Sequence, residues 1–181
     1  MSAPRKTYAQ ASPYTTPWTG TERVRTQLWE WCWALFCCWT PKPFNGWRVL
    51  WLRLFGAKLI GHTFVHPRAR ITHPWNLTMH DRACLGDGAH AYALGPIELR
   101  EGCTIAQEAY LCTGTHDFSS PTLPLQTAPI VVGEHAFVGL RAIILPGVTL
   151  GKKSVVGAGA VVTRNVADGK TVAGNPARTL P

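Results

Sequence analysis

The 181-residue chain is poor in charge, and poorer still in acid. It has 10 Asp and Glu against 18 Lys and Arg, 15% charged residues in all. The first 20 residues are polar and proline-containing with no apolar core, so no secretory leader is expected there. No run is apolar for long enough to cross a bilayer. The strongest candidate, Leu28–Trp39, contains Glu30 and stops before Pro41. The six cysteines (Cys32, Cys37, Cys38, Cys84, Cys103, Cys112) include no Cys-x-x-Cys pair, which argues against structural zinc. Without a secretion context, and with Cys37 and Cys38 adjacent, they read as reduced, packed thiols in a cytoplasm. At 46% hydrophobic the chain can still bury a core, and its length suits one domain with a short appendage.

The +8 net charge is unevenly distributed. Before Leu77 there are 10 basic residues and only Glu22 and Glu30, whereas from Leu77 onward 8 basic residues balance 8 acidic ones. The later body therefore has no electrostatic footprint for nucleic acid. Seven of the eight tryptophans lie from Trp18 to Trp51, within the basic front. Two readings of that front stand: cations solvating an apolar helical face, or a surface for an anionic partner such as a membrane.

Residues 1–20 read as an extended arm. Thr21–Trp39 reads as a helix with Thr21 as N-cap and Pro41 and Pro43 behind it. A second helix is expected over Trp47–Phe55, with Trp47, Leu50, Trp51 and Leu54 on its packing face and Gly56 at its end. The chain divides into 1–58, the arm and two apolar helices, and 59–181, which follows a different rhythm.

That rhythm has a period of six. Val132, Val138, Ile144, Leu150, Val156 and Val162 succeed one another without a miss, and Gly follows four of them, at Gly133, Gly139, Gly151 and Gly157. A small or β-branched residue stands four places after each aliphatic: Ala136, Ala142, Val148, Ser154, Ala160, Val166. Earlier hexads run through Met79, Leu85, Ala91 and, after two inserted residues, Leu99, Ile105, Leu111. Ile60-Gly61 with Phe64 reads as a degraded first hexad. Residues 117–131, with three prolines, interrupt the rhythm as a protruding loop. Each hexad gives a short strand and a turn, and three hexads close one coil. Stacked coils pair as parallel strands around a narrow interior, about five of them between Ile60 and Val166. Gly157-Ala158-Gly159 is explained by the hexads, without a dinucleotide fold around it.

The chain resembles the hexapeptide-repeat acyltransferases, in particular the colanic-acid-biosynthesis acetyltransferases, neighbours of the maltose, galactoside and nodulation O-acetyltransferases. The resemblance rests on Tyr110-Leu111-Cys112-Thr113-Gly114-Thr115-His116-Asp117 and Ile144-Leu145-Pro146-Gly147-Val148-Thr149. It continues through Val156-Gly157-Ala158-Gly159-Ala160-Val161-Val162-Thr163-Arg164 and the tail Val172-Ala173-Gly174-Asn175-Pro176-Ala177-Arg178. It implies a left-handed parallel β-helix and a homotrimer with acetyl-CoA sites in clefts between subunits, each walled partly by the 117–131 loop. It also implies an O-acetyltransferase that acts on a saccharide, an exopolysaccharide or cell-surface glycan precursor.

By position in the motif, His116 matches the family's general base, which takes the proton of the attacking hydroxyl. Gly139 and Ala142 match the region of backbone donors for the oxyanion and cofactor, while Ala158, Thr163, Arg164 and Arg178 match the cofactor-contact region. Residues 89–97 lack the Asp or Asn that sugar acetyltransferases often carry there. Tyr92 is the residue in that stretch able to hydrogen-bond an acceptor, and Asp117 is a second substrate-side candidate. No metal is expected, and the charge distribution argues against a nucleic-acid partner. The expected location is the cytoplasm, with lipid-linked glycans at the inner membrane face as possible company.

Two competing readings are weighed on the same fold. A zinc carbonic anhydrase would use three histidines, and His80 and His116 stand 36 apart. Pro121 occupies the third place, however, and the two histidines fall at different points of the hexad. A non-catalytic scaffold would need neither a histidine at the cleft nor arginine in the tail. Cys112 beside the motif reads as a packing thiol rather than a nucleophile.

Overall fold

The computed structural model describes residues 5–12 and 14–181, so the part of the expected arm at 1–4 and Pro13 lies outside the described residues. From Lys58 the chain winds into a parallel β-helix with three faces. The first face stacks Lys58–Leu59, Leu77–Met79, Ile97–Leu99, Ile130–Val132 and Thr149–Leu150. The second stacks Phe64–Val65, Cys84–Leu85, Thr104–Ile105, Phe137–Val138, Val155–Val156 and Thr171–Ala173. The third stacks Arg70–Ile71, His90–Tyr92, Tyr110–Cys112, Ile143–Ile144 and Val161–Val162. The expected coils are thus complete, and a partial further one is begun by the Val166 bridge to Leu150 and by Thr171–Ala173.

The six-residue period has a direct physical counterpart. The second-face column Val65, Leu85, Ile105, Val138 and Val156 is wholly buried, each residue in register with the next. At nine corners the residue three places after an inward aliphatic has a positive φ: Arg82, Gly88, Gly102, Glu108, His135, Arg141, Gly147, Lys153 and Gly159. Glycine removes the steric penalty there, and non-glycine residues must absorb it. The glycine immediately after the aliphatic has another reason. A Cβ at Gly139 would sit 2.7 Å from the Val156 carbonyl oxygen of the next coil.

The first coil departs from expectation by one residue. Leu59, in register with Met79, points inward, while Ile60 is 53% exposed. A single-residue slip reverses the facing of a strand, and with no clean neighbouring hexad the slip was invisible in the sequence. The interruption is also displaced: Ile130 and Val131 pair with Ile97 and Glu98 and belong to the helix. The segment before them is not simply a loop. Gly114–His116 and Leu125–Thr127 form an antiparallel hairpin, and Lys6–Thr7 of the arm adds a third strand.

Helix α1 (Gly20–Cys32) is capped by Thr19 rather than Thr21. The Thr19 hydroxyl accepts from the Glu22 amide, and the Glu22 carboxylate accepts from the Thr19 amide. This reciprocal box satisfies two donors at once, which Thr21 could not do. A π-helical turn, Trp33–Cys37, continues α1. Trp29 inserts into the core and its indole donates to the Ile71 carbonyl at 2.6 Å.

Helix α2 (Asn45–Leu54) closes the N-terminal end of the coil, but with a different face from the one expected. Arg48, Val49 and Leu52 are buried, whereas Trp47, Leu50 and Leu54 are exposed. Arg48 explains the reversal. Its fully buried guanidinium donates to the Val65, Pro41 and Lys42 carbonyls and to the Thr40 hydroxyl, at 2.8–3.0 Å. It ties the interhelical loop to the first coil. Arg48→Met is expected to lower stability by about 2–4 kcal/mol, because it strands buried acceptors. Urea denaturation checks this, and an unchanged midpoint would refute it. At the other end, Arg178–Thr179 folds back antiparallel on Thr171–Ala173 and covers the open edge.

His73 makes stability pH-dependent. It is buried, stacked on Trp75 at 4.7 Å and met edge-on by Trp18 at 5.2 Å. Burial pushes its pKa down to about 4 from 6.5, against the pull of Glu22. Between those values the unfolded chain takes up a proton that the folded chain refuses. Stability is therefore lost as pH falls from about 6.5 to about 4, by about 3 kcal/mol at most for this group. His73→Phe should flatten that part of a stability–pH curve, whereas an unaltered slope would contradict the assignment.

Candidate active site

His116 ends the strand Gly114–His116, opposite Leu125, on the hairpin that leaves the coil after the third face. Its ring is exposed, and Nδ1 lies 2.7 Å from the Leu123 carbonyl oxygen. A carbonyl oxygen can only accept, so Nδ1 carries the proton, and in the neutral ring the lone pair is on Nε2. Leu123 has a φ of +46°, a costly left-handed conformation for a branched side chain, held by its amide donating to Ser120. This carbonyl is the orienting partner. A backbone contact made by a folded hairpin leaves no residue-type signal in a sequence.

Asp117 does not orient the imidazole. Its carboxylate accepts from the Ser119 amide and hydroxyl, at 3.0 and 2.6 Å, and those bonds hold its pKa below the usual carboxylate value. Its amide donates to the Pro124 carbonyl across the hairpin. Asp117 shapes the turn that holds Leu123.

Tyr92 comes to the root of the same strand. A Cβ on Gly114 would lie 3.3 Å from the Tyr92 ring, and the Thr113 hydroxyl donates to the Tyr92 carbonyl at 2.7 Å. The ring packs near His90 and Tyr110, and burial raises its hydroxyl pKa. Tyr92 also walls an open cleft of about 390 Å³ together with Trp18, Gln27, Glu30 and Thr72. This cleft between α1 and the coil combines an aromatic surface with several hydrogen-bonding groups. Its α1 side, with Gln27 and Glu30, forms only where α1 packs beside the coil, which residue type alone does not signal.

The remaining expected residues fall on two edges of the prism. Gly139, Ala142 and Ala158 lie on turns between the second and third faces, and the His116 hairpin leaves from the far edge of the third face. The structure therefore does not bring His116 and these three together within one chain. Three amides of the Gly139–Ala142 turn are already engaged: Gly139 donates to Val156, Arg141 to Gln107 and Ala142 to Gly139. The Leu140 amide, among the described residues, has no acceptor within the chain.

Thr163 and Arg164 line a cleft of about 500 Å³ with Arg5, Pro146, Gly147, Val148 and Asn165. No carboxylate lines it, so its two guanidinium groups suit an anion such as a phosphate. Arg5 went unnoticed in the sequence because only the strand pairing of the arm brings it there. Arg178 is exposed on the final strand and donates to the Ala177 carbonyl.

The other chemical candidates separate. Cys112 donates to the Gly114 carbonyl, and burial raises its pKa, which disfavours a thiolate. All six cysteines are free thiols. His80 pairs with Glu98 at 3.2 Å, while His116 faces Leu123. Among the described residues no three His, Cys, Asp or Glu side chains gather as a metal-binding group.

A parallel solenoid of hexads with an imidazole projecting from an inserted hairpin defines a hexapeptide-repeat protein. The family profile described as the hexapeptide repeat of succinyl-transferase matches residues 129–164. WcaF of Escherichia coli (strain K12), named for an acetyltransferase of colanic acid biosynthesis, is 38% identical over 158 residues, 87% of each chain. The chain belongs to the hexapeptide-repeat acetyltransferases. Among solved structures of the same fold, an acetyltransferase of Vibrio cholerae O1 biovar eltor, VCA0836, complexed with acetyl coenzyme A, has a TM-score of 0.83. It is 19% identical, with 93% of this chain and 92% of that one covered. A maltose O-acetyltransferase from Clostridium difficile 630 has a TM-score of 0.81 at 21% identity, with 90% and 88% covered.

Proposed function

We propose that this protein moves an acetyl group from acetyl-CoA to a hydroxyl of a saccharide, a precursor of an exopolysaccharide or other cell-surface glycan, with His116 as general base. The observation that carries the reading is the fixed imidazole: an exposed ring whose Nδ1 is held by the Leu123 carbonyl, which leaves Nε2 as the edge available to a substrate. The hydroxyl oxygen attacks the thioester carbonyl carbon as Nε2 takes the hydroxyl proton. The oxyanion collapses, the C–S bond breaks and the leaving sulfur receives that proton back from Nε2. An acetyl ester and a free CoA thiol result, and the imidazole is again neutral.

Acetyl-CoA as the donor accords with the Vibrio neighbour, whose structure carries it. On this chain its phosphates suit Arg164 and Arg178, with Arg5 and Thr163 beside Arg164, while its pantetheine suits the strip past Gly139, Ala142 and Ala158. The Leu140 amide is the donor best suited to the oxyanion. Because His116 and that strip lie on separate edges, one chain's imidazole must meet another chain's strip, which favours a homotrimer with seams between subunits. The acceptor suits the Trp18–Tyr92 cleft, where an aromatic face and hydroxyl-recognising groups fit a sugar. Relatedness to a colanic acid biosynthesis protein adds support for a saccharide. The reading extends to a cytoplasmic enzyme working near lipid-linked glycans at the inner membrane face.

The test joins a saccharide acceptor screen, read by CoA-thiol release, to melting in the presence of CoA. Free CoA at a hundredfold its Kd should stabilise the protein by about 2.7 kcal/mol. A chain with neither stabilisation nor thiol release would be a scaffold, and the reading would fall.

A further inference from the structure

The two N-terminal helices carry their largest unpaired apolar surface on the side turned away from the coil. Val24, Leu28, Trp31 and Leu35 recur at three- and four-residue steps along α1 and its π-helical continuation, Trp39 follows in the turn beyond, and all are exposed, Trp31 by 58%, Leu35 by 64% and Trp39 by 70%. The opposite side of α1 supplies Trp29 and Cys32 to the interior. On α2, Leu50 and Leu54 remain exposed, while Phe36 stacks on Trp51 at 5.2 Å and bridges the two helices. A soluble monomer rarely leaves so many large apolar side chains side by side on one surface.

The charge of the segment that carries this surface bears on what covers it. Exposed Arg23, Lys42, Arg53 and Lys58 accompany it, and the segment's only acids are Glu22, which caps α1, and Glu30. An apolar stripe rich in Trp and Leu, on a segment with an excess of exposed cations, is the chemistry of a helix lying in the interface of an anionic bilayer. No helix among the described residues is long and apolar enough to cross a membrane.

We propose that the outer face of α1, its π-helical turn and α2 is a docking surface for an anionic lipid bilayer. This deepens the placement near lipid-linked glycans, yet it stands or falls apart from the chemistry. Since α2 closes the first coil and the His116 hairpin leaves the third, the imidazole stands on the order of 10 Å along the coil axis from that end. A lipid-linked sugar would meet the Trp18–Tyr92 cleft from the membrane side, while Arg164 and Arg178 at the far end remain in water.

The test is co-sedimentation of the full-length protein with phosphatidylcholine vesicles, with and without phosphatidylglycerol. Binding is expected only to the anionic vesicles and should weaken with added salt. Trp31→Glu with Leu35→Glu, and separately Lys42→Glu with Lys58→Glu, should each weaken binding by about tenfold or more. CoA-thiol release with a soluble acceptor should stay unchanged in both variants. Absence of vesicle binding, or equal binding by the variants, overturns the proposal. So does a fall in the particle mass of the Trp31→Glu, Leu35→Glu protein by light scattering, since the face would then be covered by a second copy of the chain. Vesicle binding can fail while acetyl transfer persists, and the converse, so the two readings are separately exposed.

Discussion

His116→Ala is expected to reduce kcat by about 10²–10⁴-fold and to leave the protein folded. The first half follows from chemistry: a sugar hydroxyl is a weak nucleophile near neutrality, and removing a positioned base costs rates of that order. The second follows from geometry. The ring is exposed and its hydrogen bond to the Leu123 carbonyl lies at the surface, so little stability depends on it. The measurement is steady-state thiol release beside a melting curve. Retention of near wild-type kcat would remove His116 from the reaction. A loss of activity that tracked a lower Tm would show a structural effect instead.

Val138→Asp should abolish the folded state or come close to it. Val138 is fully buried between Ile105 of the coil before and Val156 of the coil after, with its backbone paired on both sides. The interior has no room for water and no partner for a carboxylate. Burying that group costs several kcal/mol, even after it is forced to hold a proton, which is comparable to the stability of an ordinary domain. Thr149→Asp, on an exposed position of a neighbouring strand, should change stability by no more than about 0.5 kcal/mol. Circular dichroism and urea titration compare the two. Similar behaviour of both variants would mean that the inward column does not carry the fold.

The contrast between those positions shows which features the sequence could reveal. A residue that points into a narrow prism is constrained by the coils above and below it, so the six-step series from Val132 to Val162, which winds round all three faces, is legible in the sequence. Where a segment lacks that repetition, pattern reading lost its footing. The Leu59–Ile60 slip is one case. Helix α2 is another: hydrophobicity points to Trp47, Leu50, Trp51 and Leu54 as the packing face, of which Trp51 is half-buried and the other three exposed, while the buried face is organised by Arg48, whose guanidinium serves four acceptors. The apolar side left outside then acquired a different meaning, as a surface for lipid.

The site divides along a similar line. His116 was visible through its motif at the start of the inserted segment. The carbonyl that fixes its tautomer, the Leu140 amide and Arg5 were not, since each depends on where the backbone goes rather than on residue type. Gly139 and Ala142 were selected for donors that the coil stack already uses. Only the folded chain shows that the turn's spare amide belongs to Leu140.

The decisive measurement follows isotopically labelled acetyl from acetyl-CoA into a saccharide acceptor and tests the bond that holds it. The account predicts label on the sugar as an alkali-labile ester, formed by the wild-type protein and nearly absent with His116→Ala. Label held in an alkali-stable amide, label appearing equally with the variant, or no transfer to any saccharide would contradict it.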